Sequence, residues 1–239
     1  MADAHMAIAH YLRERREAAG LTRAELAQRA GVSEALIQKI EQGTRAPTPT
    51  ALIALSDALR IPTQFVDHAL ELLQPARRQT TDLYGDLAEG EIDFLNSLPH
   101  PACYLTLPAR DLIAVNDAHR RYFPTLLPGT NVIAWTLLDP IARHVLADWE
   151  QQAHVLVQAF RYMAPGVVTP ERCEEIIRMC RAAPEWDRLW STDLPPDNIP
   201  HPVRMRSPET GEWCPMHVHL FKIEIPTRPW WLYSLMPAR

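Results

Sequence analysis

The chain has 239 residues, 47% of them hydrophobic, with a net charge of −5 and a sequence pI near 6.1. That is enough apolar material for one large domain or two small ones, and the acidic balance excludes a protein that coats nucleic acid with its whole surface, though not one with a local basic face. No apolar run reaches the roughly 18 residues of a bilayer span, the start is charged and helix-like rather than a secretory leader, and Cys103, Cys173, Cys180 and Cys214 form no CxxC pair. A cytoplasmic protein with reduced thiols and no membrane contact is expected.

Few of the 22 prolines precede Pro75, and many fall between Pro99 and Pro237, so two architectures are expected in one chain. Residues 4–19 carry Ile8, Tyr11, Leu12 and Arg15 at helical spacing, stopped by Gly20. Thr22 with Glu25 three residues later forms a capping box for a second helix with Leu26, Ala27 and Ala30 inward. Gly31 supplies the turn, and Ser33 caps a third helix that buries Leu36, Ile37 and Ile40 and ends at Gly43. Thr48-Pro49 opens a fourth helix with Leu52, Ile53, Leu55 and Leu59 inward, and Pro62 a fifth through Phe65, Val66, Leu70 and Leu73. Short helices on tight turns, with Ala27 small for close approach and Val32 and Ile37 locking the pair, make a helix-turn-helix bundle.

The stretch LTRAELAQRAGVSEALIQKIEQGTRAP resembles the Cro/C1-type (XRE family) helix-turn-helix, and residues 5–72 resemble a lambda-repressor-like five-helix bundle. The resemblance implies that the helix opened by Ser33 enters the major groove of double-stranded DNA. Ser33, Glu34, Ala35, Gln38 and Lys39 then occupy its exposed end and face: Glu34 to accept from cytosine, Gln38 to pair with adenine, Lys39 to reach guanine or phosphate, Ala35 to pack on a thymine methyl. Arg23, Arg29 and Arg45 flank the helix and are placed for phosphates; Arg23 stands where the family often has Gln. One such helix is a weak address, so a homodimer on two half-sites is expected. Residues 75–91, polar and mixed in charge, read as a linker between a DNA-binding domain at 1–74 and a second domain at 92–239.

In that second domain residues 93–97 read as a short helix, and PACYLTL and DLIAVN as two strands around a Pro-Ala-Arg-Asp turn. Helices follow in DAHRRYF, in one kinked or two separate segments from Asp139, in the segment from Pro170 after a Thr169 cap, and in EWDRLW. Strands return in HPVRMRS, WCPMHVHLFKIEI and WWLYSLM. Without βα alternation or a glycine-rich phosphate loop, this is α+β: an antiparallel sheet with a helical insertion, its helices on one face. Trp135, Trp149, Trp190, Tyr122, Phe123, Phe160, Leu146 and Leu189 either line an apolar chamber or fill a core.

LIAVNDAHRRYF, NVIAWTLLDPIARHVLADWE, APEWDRLW and the later HPV resemble the ligand-binding domain of MmyB-like transcription regulators, over about residues 92–236. The resemblance implies a PAS-like fold and a fatty acid as ligand, of about 14–16 carbons, with no required cofactor and no enzymatic activity; burial of such a chain contributes about 0.8 kcal/mol per CH₂. Tyr122, Phe123, Leu146, Trp149 and Trp190 then face the tail, and Asn116, Arg143 or His201 the carboxylate; Arg143 equally suits a pair with Asp139 on its own helix. Two rivals stand beside this. His217 and His219 share a strand face at a spacing metals use, but Cys214 alternates to the other face and no HExxH or CxxC completes a site. A phage- or antitoxin-type repressor, whose C-terminal domain only dimerises or binds a protein, would use the tryptophan-rich PWWLY as its interface.

Overall fold

The computed structural model describes residues 2–61, 66, 69, 70, 73, 87–165, 167–192, 202–224 and 227–238. The chain divides into two compact units: residues 1–78 with 159–170, and residues 79–158 with 171–239.

In the first unit, α1 (Ala2–Ala18), α2 (Arg23–Ala30), α3 (Glu34–Glu41) and α4 (Pro49–Ala58) follow the local signals closely. Thr22 and Glu25 close a reciprocal capping box, and Ser33 Oγ accepts from Leu36 N–H at 3.2 Å. Thr48 Oγ1 caps Ala51 N–H ahead of the N1 proline of α4. Gly31 ends α2 at φ 66°, and Gly43 follows α3 at φ 68°, both in the left-handed region where a Cβ is costly. Ile8, Leu12, Leu26, Ile37, Ile40, Leu52 and Leu55 form the core. Ile53, expected inward, is 44% exposed: the buried stripe of α4 runs Leu52, Leu55, Ser56 and Leu59, and Ile53 falls beside it. The fifth helix expected from Pro62 to Leu73 lies largely outside the described residues. Residues 159–170 complete this unit, with Ala159 in its core, Tyr162 against Tyr11 at 4.5 Å between ring centroids, and Arg161 paired with Glu14 at 3.1 Å.

The second unit opens with α5 (Glu89–Ser97), then β1 (Ala102–Thr106) and β2 (Leu112–Val115). The insertion is helical: α6 (Asp117–Tyr122), α7 (Val132–Leu138), α8 (Pro140–Val145), α9 (Trp149–Met163, as far as Gln158 in this unit), α10 (Pro170–Cys180, from Glu171 in this unit) and α11 (Trp186–Ser191). Strands β3 (Val203–Arg206), β4 (Trp213–Glu224) and β5 (Thr227–Pro237) finish an antiparallel sheet of order β2-β1-β5-β4-β3. The segment after Asp139 is two helices. They part where Leu146 bridges Met205 and Ala147 N–H donates to Arg204 O, so the junction docks on the edge strand β3. The helices do not gather on one face alone. Every residue of β1 is buried: Ala102 and Tyr104 pack with Leu95 of α5, while Cys103 and Leu105 alternate to the other side.

Candidate nucleic-acid interface and ligand site

Helix α3 has two chemically different sides. Ile37 and Ile40 are each 1% exposed in the bundle core, while Ser33, Glu34, Ala35, Gln38 and Lys39 are all exposed, as is Arg45 beyond its end. The free N–H groups of its first turn and the associated partial positive charge lie at that exposed end.

Beneath α3 lies a charge cluster that sequence reading missed. Glu41, 2% accessible at its side chain, accepts from Arg16 Nε at 2.6 Å and from Arg23 Nε at 2.8 Å. Arg16 also donates to Leu21 O at 2.9 Å. Burial alone would raise the Glu41 pKa; the hydrogen bonds from Arg16 and Arg23 outweigh it and hold the carboxyl below its ordinary value. Arg23, half-buried, is therefore bound to Glu41 in the DNA-free protein instead of standing free for phosphate. The signal available was an acidic residue in the last turn of an apolar helix, where the helix dipole disfavours it.

Among the described residues of the second unit, the expected ligand residues fall in several places. Asn116 is 1% exposed and fully engaged: its carboxamide N–H groups donate to Leu98 O and His100 O, and its oxygen accepts from Ala102 and His119 N–H. It pins α5, β1 and α6 together. Phe123 is buried edge-on to Trp135, with ring centroids 5.9 Å apart, and Tyr122 is half-buried beside it. Arg143, Leu146 and Trp149 do meet, around a solvent-open dent of about 430 Å³ that Ala147, Asp148, Glu150 and Gln151 also line. There Arg143 lies over the Trp149 ring at 3.5 Å and pairs with Glu185 at 2.8 Å, while Asp139, its expected partner, caps α8 at Ile141 N–H. Trp190 packs against Trp186 at 4.9 Å. His201 lies outside the described residues. Among the described residues no group of three or more His, Cys, Asp or Glu is placed to hold a metal ion, and no helix is long and apolar enough to cross a membrane.

Two groups in this unit, one buried and one half-buried, stand out beyond the expected site residues. His119, 3% exposed in α6, has its pKa pushed down to about 3 by burial and then by Arg120, so its imidazole is neutral. Arg110, in the Pro-Ala-Arg-Asp turn, is half-buried, and its backbone is left-handed at φ 61°.

A family model for a helix-turn-helix domain matches residues 7–69, and one for the MmyB-like transcription regulator ligand binding domain matches residues 89–238. No curated protein matches the chain. The second match alone covers well over half of the chain, and the first covers the two-sided α3 and its caps. The chain belongs to the MmyB-like transcription regulators, joining a helix-turn-helix DNA-binding domain to a ligand-binding domain.

Proposed function

We propose that the protein reads a specific operator as a homodimer through α3, and that its ligand-binding domain takes a fatty acid of about 14–16 carbons whose occupancy changes operator affinity. The two-sided α3 carries the DNA half: a short capped helix buries Ile37 and Ile40 and leaves Ser33, Glu34, Ala35, Gln38 and Lys39 exposed together. Side chains able to reach base edges on an N-terminally presented helix are what major-groove readout requires. The ligand half is supported by the family's ligand-binding domain and by the aromatic and aliphatic stock of the second unit, Phe123, Trp135, Trp149 and Leu189 among it. A cytoplasmic location follows from DNA as the target, and no catalytic step or cofactor is part of this reading. To act as a signal, the acid must bind one arrangement of the dimer better than the other.

Two measurements on the full chain test this. Solvent extraction of freshly purified protein, followed by mass spectrometry, is expected to release a near-stoichiometric long-chain acid. Selection of DNA sites from a random pool is expected to return a two-fold-related motif, with Gln38→Ala relaxing the preference at one position per half-site. An empty protein that still selects a motif would leave the second unit a dimerisation module; an unchanged motif for Gln38→Ala would remove α3 as the reader.

A further inference from the structure

The match to the ligand-binding domain runs over residues 89–238, yet residues 159–170 inside it belong to the compact unit that holds the DNA-binding helices. Helix α9 crosses that division: it is part of the second unit as far as Gln158 and of the first from Ala159. A helix is held along its length by its own i→i−4 bonds, so no loop separates the two parts, and a displacement of one is passed to the other.

The last residues of α9, 159–163, are built into the bundle. Ala159 is 4% exposed and shares a core with Ile8, Leu12 and Ile37, against which Tyr162 and Met163 also pack. Tyr162 meets Tyr11 of α1 at 4.5 Å between ring centroids, and Arg161, 5.0 Å from the Tyr162 ring, pairs with Glu14 of α1 at 3.1 Å. Helix α1 in turn holds the reading helix, because Arg16 bonds Glu41 in the last turn of α3.

Both flanks of the segment are fixed in the second unit. Gln158, 1% exposed, donates through Nε2 to Leu189 O and Trp190 O of α11, and His154, one turn earlier, is bonded to Thr192 O at 2.6 Å. On the other side Arg172, in the first turn of α10, binds both carboxylate oxygens of Asp111 at the start of β2. A flexible tether would need none of these bonds.

We infer that residues 159–163 of α9 are a coupling arm: the ligand-binding domain acts on the DNA-binding bundle through Tyr162 and Arg161 bearing on Tyr11 and Glu14 of α1. That ligand occupancy moves the arm rests on the function proposed above; that the arm joins the two units energetically does not. An arm that carries a signal must show an interaction energy between its two ends, read as non-additivity.

The test uses the full-length protein and a DNA site selected from a random pool. Operator affinity is measured by titration for wild type, Tyr162→Leu, Gln158→Met and the double variant, and again with Arg172→Ala in place of Gln158→Met. Neither Gln158 nor Arg172 belongs to the DNA-binding unit. Each substitution is expected to change operator affinity at least threefold in the wild-type background and by less than about 1.5-fold beside Tyr162→Leu. Tryptophan-monitored urea melts confirm that each variant is folded, and anchors on opposite flanks make the result independent of either one. Additive effects, or no effect of either anchor on operator affinity, would overturn the arm. Tetradecanoate is the ligand probe. It is expected to shift operator affinity at least threefold in wild type and by less than about 1.5-fold in Tyr162→Leu, while its own affinity for the DNA-free variant stays within threefold of wild type. A shift that survives undiminished in Tyr162→Leu would also overturn the arm and leave the fatty-acid reading standing. No effect of tetradecanoate on wild type, with the anchors still non-additive, would remove the fatty-acid reading and keep the arm.

Discussion

Replacing Arg16 with Met removes the main partner of a carboxylate that is 2% accessible. Wild-type Glu41 receives bonds from Arg16 Nε at 2.6 Å, Arg16 Nη2 at 3.1 Å and Arg23 Nε at 2.8 Å. Breaking a buried pair from one side typically costs about 3–5 kcal/mol because the surviving charge stays buried. Arg23 survives here, although its side chain is 35% accessible, and Met refills the volume of the Arg16 stem, so the lower end applies: about 3 kcal/mol. All tryptophans lie at Trp135 or later, so fluorescence follows the other unit. Amide hydrogen exchange of Ile37 and Ile40 in the full chain reads the bundle, and 3 kcal/mol corresponds to roughly 100-fold faster exchange. The double variant Arg16→Met with Glu41→Leu should recover most of that protection, because an apolar pair of similar size avoids the desolvation of both ions. The wild-type pair is also pH-dependent. The folded Glu41 pKa is depressed, so its contribution is fully present above the ordinary carboxylate pKa and is lost as pH falls through the folded value. Less than threefold acceleration in Arg16→Met, or a double variant no more protected than the single one, would refute the reasoning.

His119 gives a second pH dependence with its own window. Its folded pKa of about 3 lies below the ordinary 6.5, so below pH 6.5 the unfolded chain binds a proton that the folded one does not. Stability of the second unit should fall by about 2 kcal/mol between pH 8 and pH 5, and His119→Phe should flatten that slope in tryptophan-monitored urea melts. Arg172→Ala strands Asp111, which is 7% exposed and keeps only Asn131 as a side-chain donor; a loss of about 2–3 kcal/mol is expected, seen as a lower urea midpoint at unchanged slope. Arg45→Ala should weaken binding to every DNA sequence alike and reduce the salt slope by about 1, measured by titration across salt concentrations.

What the sequence disclosed and what it hid follow from the range of the interactions. Thr22 with Glu25, Ser33 with Leu36 N–H and Thr48 with Ala51 N–H are bonds across three residues, so the caps of the first unit could be read directly. Strands around Cys103, Leu112 and Tyr233 were visible as β-branched and aromatic runs bounded by prolines. Helix α7 was missed because Ile133, Ala134, Trp135, Thr136 and Leu137 are all buried, and a helix covered on every side shows no polar stripe. Arg16 and Glu41 are 25 residues apart, and Arg143 and Glu185 are 42 apart; no local pattern marks such pairs. Asn116 reads in the sequence as a ligand residue, but a side chain with two donors and an acceptor serves a strap equally well, and its four backbone partners are visible only in the fold.

The same test of partners marks Glu41 and Asp111 as structural charges. Glu41 has Arg16 and Arg23, and Asp111 has Arg172 and Asn131; each of these buried groups is balanced by residues of its own unit, and each substitution is expected to appear as lost stability.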